Sequence, residues 1–141
     1  MPDAIRLEFT VDGEDFAAAG GASGEVKRTL KKLGMPPDLI KRVAICMYEG
    51  EINMVIHADG GVARAAIRPA GVEIELCDRG PGIPDLALAM QEGYSTASEQ
   101  ARNLGFGAGM GLPNMKRYAD ELAIETAPGV GTTVRMVFAV K

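Results

Sequence analysis

Four glycines at alternate positions, directly before a short helical segment, constrain this fold more than any other stretch of the sequence. Residues 105–111 read G-F-G-A-G-M-G, and a helix is predicted to begin at Pro113. Backbone amides without side chains at a helix N-terminus bind phosphate oxygens, because the N–H groups point outward and the helix dipole is positive there. The segment therefore predicts a phosphate-binding loop. The residues whose amides would line it are Gly105, Gly107, Gly109, Met110 and Gly111.

The apolar periodicity predicts an α+β fold with the element order β-α-α-β-β-α-loop-α-β-β. Alternation with period 2 predicts strands over residues 5–11, 62–67, 72–77, 122–126 and 132–140. Helices are predicted over residues 15–33, from the prolines at 36 and 37 to about residue 57, over 86–90 and over 114–120, with the glycine pair at 60 and 61 ending the second helix. This order favours a two-layer α/β sandwich in which helices cover one face of a mostly antiparallel, mixed sheet. The long loop at about 93–111 is typical of a binding loop or a mobile lid.

Size, charge and cysteine content limit the classes of protein. The 141 residues suit a single domain over residues 1–141. A net charge of −4 argues against nucleic-acid binding, which needs a concentrated basic face. No apolar run approaches a membrane span and no signal-peptide pattern opens the chain, which predicts a cytoplasmic protein without membrane association. Cys46 and Cys77 are predicted to be buried free thiols, since no C-x-x-C pair occurs.

The second predicted helix carries a carboxylate side chain and an amide side chain one turn apart. The i, i+4 spacing places Glu49 and Asn53 on one helical face. A carboxylate and an amide oxygen so arranged suit a general base beside a magnesium ion, because Mg²⁺ prefers oxygen ligands and takes only one or two from the protein. By themselves, these residues also suit an ordinary exposed helix face.

Two further candidates lie at strand ends. Asp78 leaves a predicted strand into a turn with Gly80 and Gly82, where the carboxylate can accept a hydrogen bond from an amine such as that of adenine. An ordinary Asp-Gly turn accounts for the same residues equally well. Thr132 and Thr133 open the last strand, and threonines there are also normal for a strand. The P-loop, Rossmann and eukaryotic-kinase motifs are absent from the sequence.

Taken in order, these four motifs resemble the N, G1, G2 and G3 boxes of the GHKL ATPases, which share the Bergerat ATP-binding fold. Within that superfamily, the segments G-P-G-I-P-D, G-Y-S-T and G-A-G-M-G-L-P-N-M-K-R are most similar to the bacterial serine kinases of partner-switching systems. These include anti-sigma factors and the switch kinases that phosphorylate STAS-domain antagonists.

The resemblance implies a role for each motif in serine phosphorylation with ATP and Mg²⁺. It places Asn53 on the metal, Glu49 as the base that accepts the serine proton, and Asp78 on the adenine amine. It places the glycines at 107, 109 and 111 around the phosphates, and it assigns Thr132 and Thr133 to the nucleotide site. The implied partners are a STAS-domain antagonist or switch protein, a sigma factor, and a second copy of the chain in a homodimer.

Some residues depart from the family pattern or leave alternatives open. Gly50 and Met54 stand where the family usually has alanine, and Glu51 occupies a position that is often apolar. Glu51 suits either a second carboxylate beside the magnesium or a solvated side chain. Residues 57, 102 and 116 (histidine, arginine and lysine) each suit a place near the phosphates or a solvated position. His57 is the only histidine, so the chain has no separate phosphoacceptor histidine.

Two rival functions remain at this point. One is a binding module that sequesters a sigma factor or activates an enzyme, with ATP only closing the lid. The other is the catalytic half of a split histidine kinase, which would phosphorylate histidine on another protein.

Overall fold

Five strands form one sheet within the part of the chain that the computed structural model describes, namely residues 4–12, 20–57, 60–78, 111–127 and 130–140. The sheet order is β1-β2-β3-β5-β4, and every neighbouring pair runs antiparallel. The strands are β1 (Ile5–Asp12), β2 (Gly60–Arg68), β3 (Gly71–Asp78), β4 (Glu121–Ala127) and β5 (Gly131–Ala139). The predicted α+β class and antiparallel pairing are confirmed, although the described sheet has no parallel pair.

Three described helices pack on this sheet: α1 (Gly21–Lys32), α2 (Pro37–His57) and α3 (Gly111–Tyr118). The prediction that α3 begins at Pro113 was wrong, since it begins two residues earlier. Proline fits the third helical position because the first four N–H groups of a helix have no intrahelical acceptor. None of the described helices combines the length and apolar character needed to cross a lipid bilayer. The predicted helix at 86–90 and the first residues of the predicted 15–33 helix lie outside the described residues.

Side-chain alternation along the strands separates the two faces of the sheet. In β3, Val72, Ile74 and Leu76 are buried, whereas Glu73 and Glu75 alternate with them toward the other face. The buried face meets the apolar sides of the helices, which confirms the predicted two-layer sandwich. The largest fully buried side chains of the core between the sheet and the helices are Phe138, Leu30, Leu39, Met47, Ile74, Met115 and Met136.

The face of the sheet without described helices carries a row of alternating charges that crosses all five strands. Arg64 pairs with Glu8 at 2.8 Å and with Glu75 at 3.0 Å. Arg135 then pairs with Glu75 at 2.9 Å and with Glu125 at 3.1 Å. The two arginines lower the pKa of the Glu75 carboxyl, with the hydrogen bond from Arg135 the larger cause. Exposed pairs of this kind add little stability, but they give a polar outer face to a sheet whose other face is apolar.

The two cysteines lie on opposite sides of this sheet. Cys46 is fully buried on α2, and burial raises the pKa of its thiol to about 12. Cys77 is only half-buried, and its sulfur lies 3.9 Å from the Arg64 guanidinium on the charged face. Both are free thiols, as predicted, but the predicted burial of Cys77 was wrong because its position in β3 alternates with the buried ones.

The glycine pair predicted to end α2 instead begins β2. A side chain at Gly61 would place Cβ 2.0 Å from the carbonyl oxygen of Cys77. Glycine is required there because β2 and β3 approach closely at the end of β3, next to Asp78.

Candidate active site

Helix α2 carries the two residues predicted to support phosphate transfer. Glu49 and Asn53 lie one turn apart on it, and both side chains are partly buried. Burial raises the pKa of the Glu49 carboxyl, and a hydrogen bond with the Asn114 side chain opposes this shift. A carboxylate of raised pKa is a better proton acceptor than one in water. The helical spacing is as predicted, while the catalytic and metal-binding roles remain predictions.

Gly50 allows α2 to lie close to β3 and α3 beside Glu49. A methyl group at this position would lie 2.1 Å from Leu76 Cδ1 of β3 and 3.2 Å from Met115 Cε of α3. Only a residue without a side chain allows β3, α2 and α3 to meet here. The departure from the alanine of the family pattern therefore serves close packing beside Glu49.

Glu51, two residues beyond Glu49, points to the opposite side of α2. Its carboxylate accepts hydrogen bonds from the backbone N–H groups of Gly20 at 2.9 Å, Ala22 at 3.2 Å and Ser23 at 3.0 Å. The residue is only 3% exposed. Both alternatives left open by the sequence are thus wrong: Glu51 is neither solvated nor a magnesium-side carboxylate, but caps the N-terminus of α1.

Asp78 and Thr132 come together where β3 pairs with β5. The Thr132 N–H donates a hydrogen bond of 2.9 Å to Asp78 Oδ1, and Thr132 is buried. Its hydroxyl lies 3.0 Å from the hydroxyl of Thr126 on β4. The Thr133 hydroxyl lies on the other side of β5, 3.6 Å from Cys77 Sγ on the charged face. The structure therefore joins the Asp78 motif to Thr132 and directs the Thr133 side chain elsewhere.

Of the predicted phosphate loop at residues 105–111, the structure describes only the last residue. Gly111 is the first residue of α3, so the predicted phosphate loop leads directly into a helix N-terminus. The remaining predicted nucleotide-site residues, Gly80, Gly82, Gly105, Gly107, Gly109 and Met110, lie outside the described residues, as does the rest of the predicted lid.

A family model for histidine kinase-like ATPase domains matches residues 14–138, which is most of the chain. The chain belongs to the histidine kinase-like ATPase family. Membership confirms the GHKL resemblance inferred from the motifs, and it implies that the chain binds ATP.

Two relatives of this histidine kinase-like ATPase are named as an anti-sigma factor and a protein kinase. An anti-sigma F factor from Caldanaerobacter subterraneus subsp. tengcongensis is 37% identical over 102 residues, covering 69% of this chain and 68% of that protein. The serine/threonine-protein kinase RsbT of Bacillus subtilis is 31% identical over 100 residues, covering 71% of this chain and 64% of RsbT.

The fold is shared with a solved structure of the RsbU and RsbW domains of Rv1364c from Mycobacterium tuberculosis. The TM-score is 0.67 at 20% sequence identity, over 96% of this chain. The alignment spans 32% of that longer chain, so the comparison concerns one part of it.

The donor chemistry on α2 fits the magnesium ion that accompanies ATP. Asn53 offers one amide oxygen, and Mg²⁺ commonly takes one or two protein oxygens, with phosphates and waters supplying the rest. Among the described residues, no group of three or more His, Cys, Asp or Glu side chains is arranged to hold a metal. Asn53 would thus hold an ion that is bound mainly by the nucleotide.

Sequence reasoning missed two residues of this ATPase domain, Glu51 as a cap and Asn114 as the partner of Glu49. The sequence contains a signal for the first, since α1 has no acidic residue in its first turn and its N-cap, Gly20, has no capping side chain. A helix start of that kind requires an acceptor from elsewhere. The Asn114 contact joins residues far apart in sequence, and no local pattern indicates it.

Proposed function

We propose that this histidine kinase-like ATPase is a protein kinase of a partner-switching system, which transfers the γ-phosphate of ATP to a serine of a STAS-domain antagonist in the cytoplasm. The observation that carries the proposal is the state of Glu49. Its carboxylate is partly buried, its pKa is raised by that burial, and it lies one helical turn from the amide of Asn53. A pure nucleotide-binding module has no need of a base tuned in this way.

The proposed mechanism depends mainly on placement, as phosphate transfer generally does. Asp78, held by the Thr132 N–H, would accept a hydrogen bond from the adenine amine. The amides around the start of α3 would bind the phosphate oxygens. Magnesium, when bound, neutralises charge on the phosphates. Glu49 would accept the proton of the serine hydroxyl as that oxygen bonds to the γ-phosphorus, while the bond from the γ-phosphorus to the bridging oxygen breaks and ADP leaves.

The names of the relatives support both the activity and the class of partner. One relative is named a serine/threonine-protein kinase and another an anti-sigma factor. We infer from this that the chain recognises an antagonist protein, and that a sigma factor is a second candidate partner. We also propose that two copies of the chain form a homodimer.

A labelling experiment tests the activity. The full chain is incubated with Mg²⁺, γ-labelled ATP and candidate STAS-domain proteins, and the partner is then treated with acid. The proposal predicts acid-stable label on a serine of one partner. Label that is lost in acid would instead identify phosphohistidine and the split histidine kinase.

A second candidate is an ATP-gated anti-sigma module, which the name of the anti-sigma F factor relative favours. This module would bind a sigma factor only with nucleotide present and would not transfer phosphate. The labelling experiment separates the two, because the module predicts an ATP-dependent complex without labelled serine.

A further inference from the structure

Beside Asp78, two threonines face each other across neighbouring strands of the sheet. Thr126 of β4 is the register partner of Thr132 of β5, and their hydroxyl oxygens lie 3.0 Å apart, within hydrogen-bond distance. Thr132 is only 7% exposed, so its hydroxyl lies where a polar group needs a protein partner. The backbone N–H of the same residue donates to Asp78 Oδ1 at 2.9 Å. Thr132 therefore links Thr126 to the carboxylate that is proposed to bind the adenine amine.

This link lies on the side of the sheet that the helices cover. Thr132 alternates with exposed positions along β5 and shares its face with the buried Val134 and Met136. Helix α2, which carries Glu49, packs on that same face. The two hydroxyls are thus a polar pair on an otherwise apolar face, on the side where the nucleotide is proposed to bind.

The pairing with β3 does not by itself fix the position of Thr132. The described pairing of β3 with β5 runs only as far as Cys77 and Thr133, one residue short of it. The Thr132 N–H bonds to the Asp78 side chain there. On the β4 side, the pairing continues through Thr126 and Thr132. The direction of the Asp78 carboxylate therefore depends on how firmly Thr132 is attached to β4.

We propose that Thr126 is a positioning residue for base recognition, whose hydroxyl holds Thr132 so that the Asp78 carboxylate is aimed at the amine of adenine. This inference rests on the proposed function, from which it takes the contact between Asp78 and the amine. An ionised carboxylate accepts about four hydrogen bonds, so the bond from Thr132 directs the group without exhausting it. A carboxylate directed in advance raises affinity, because less freedom is lost when the nucleotide binds.

A cross-strand threonine pair also has an ordinary structural use. Opposed threonine hydroxyls stabilise antiparallel strands regardless of what the sheet binds. A role confined to stability would lower the melting temperature without altering which nucleotide the chain prefers. The nucleotide preference is therefore the property that separates the two roles.

The test measures, by calorimetry with Mg²⁺, the affinity of the full chain for ATP and for purine riboside triphosphate, which lacks only the amino group of adenine. The wild-type chain should bind ATP more tightly than this analogue. Thr126→Val keeps the branched shape of the side chain and removes the hydroxyl. It should weaken ATP binding about 3- to 10-fold, the range for one net hydrogen bond, and leave the affinity for the analogue within about twofold of wild type.

Three further variants complete the series. Thr126→Ser retains the hydroxyl and should bind ATP within about twofold of wild type. Thr126→Ala lacks it and should lose the preference for ATP as Thr126→Val does, so either of these two suffices if the other does not fold. Thr10→Val makes the same exchange at an exposed position of β1 and should change neither affinity. Melting temperatures without nucleotide show whether a loss of ATP affinity follows a loss of stability.

Failure of this inference and failure of the proposed function give different results. If Thr126→Val retains the wild-type preference for ATP over the analogue, or if serine does not restore ATP affinity, Thr126 has no positioning role and the proposed kinase stands. Equal affinities of the wild-type chain for the two nucleotides would overturn the proposed contact of Asp78 with the amine, and this inference with it.

Discussion

On the side of α2 that faces α1, the Glu51 carboxylate accepts three backbone hydrogen bonds and is almost completely buried. On the side that faces α3, the Glu49 carboxylate is only partly buried, and its pKa is raised by burial. The two residues are two positions apart, so their side chains point to nearly opposite sides of the helix. The same chemical group thus serves as a fully bonded cap on one side and as an available proton acceptor on the other.

This difference shows how the surroundings of a carboxylate separate structure from chemistry. A carboxylate bonded to three N–H groups has little capacity left for a substrate, and its removal leaves a helix end without acceptors. A partly buried carboxylate with a side-chain donor costs stability while it is charged, and this is the setting of many catalytic bases. Substitutions of the two glutamates should therefore have different consequences.

Glu49→Gln should lower the rate of phosphate transfer about 100- to 10,000-fold, because the amide cannot accept the serine proton. ATP affinity should be unchanged, since glutamine has nearly the same shape. The measurements are single-turnover transfer and calorimetric titration with ATP and Mg²⁺. Glu73→Gln, on the charged face of the sheet, is the matched control and should transfer phosphate at the wild-type rate. Equal transfer by Glu49→Gln and wild type would exclude Glu49 as the base.

Glu51→Ala should destabilise the fold by about 2–3 kcal/mol, because three N–H groups at the start of α1 lose their charged acceptor. Urea unfolding measures this loss. Glu25→Ala removes an exposed glutamate from α1 and should change stability by less than about 0.5 kcal/mol. If both variants unfold at the same urea concentration, Glu51 is not the cap that the geometry indicates.

Two helix glycines should respond to alanine with opposite signs. Gly50→Ala should destabilise the fold by about 1–3 kcal/mol, since its methyl group would collide with Leu76. In Gly24→Ala the methyl group has room, with Arg28 Nη1 at 3.8 Å, so the helix should gain about 0.5–1 kcal/mol. Thermal unfolding of both variants checks the pair, and a stabilising Gly50→Ala would show that α2 and β3 are packed less closely.

The smallest effect concerns the proton affinity of Glu49. In the nucleotide-free chain, carbon-13 NMR of the Glu49 carboxyl should give a pKa above the ordinary value of 4.5. Asn114→Ala should raise this pKa further, because the hydrogen bond that favours the charged form is lost. A pKa at or below the ordinary value would show that the carboxyl is well solvated.

The raised pKa also has a consequence for stability. The folded chain binds this proton more tightly than the unfolded chain, so stability falls as pH rises from the unfolded pKa through the folded one. Glu49→Gln removes this loss and should be at least as stable as wild type at neutral pH. Urea unfolding at pH 4 and pH 7 provides the comparison.

Much of the fold was predictable because its signals are local. The apolar patterns of β3 and β5 identified both strands, and the prolines at 36 and 37 located the start of α2. The start of α3 was less predictable because proline tolerates any position in the first helical turn. The burial of Cys77 was misjudged because it was inferred from apolar neighbours, whereas the alternation of the buried Val72, Ile74 and Leu76 places residue 77 on the other face of the sheet.

The candidate site likewise combines features set by local sequence patterns with features set by contacts between distant residues. The spacing of Glu49 and Asn53 and the strand end at Asp78 are local patterns, and the structure places them on α2 and β3 as expected. The cap by Glu51 and the contact between Asn114 and Glu49 join residues far apart in the chain. They depend on how helices pack, which a single sequence does not show.

The most direct test of the central claim is to measure single-turnover phosphate transfer by Glu49→Gln and Glu51→Gln side by side, at saturating ATP and a temperature at which both variants are folded. The account predicts that transfer fails in Glu49→Gln alone, while Glu51→Gln retains transfer and loses only stability. Equal losses of transfer in the two variants would contradict the assignment of different roles to the two sides of α2.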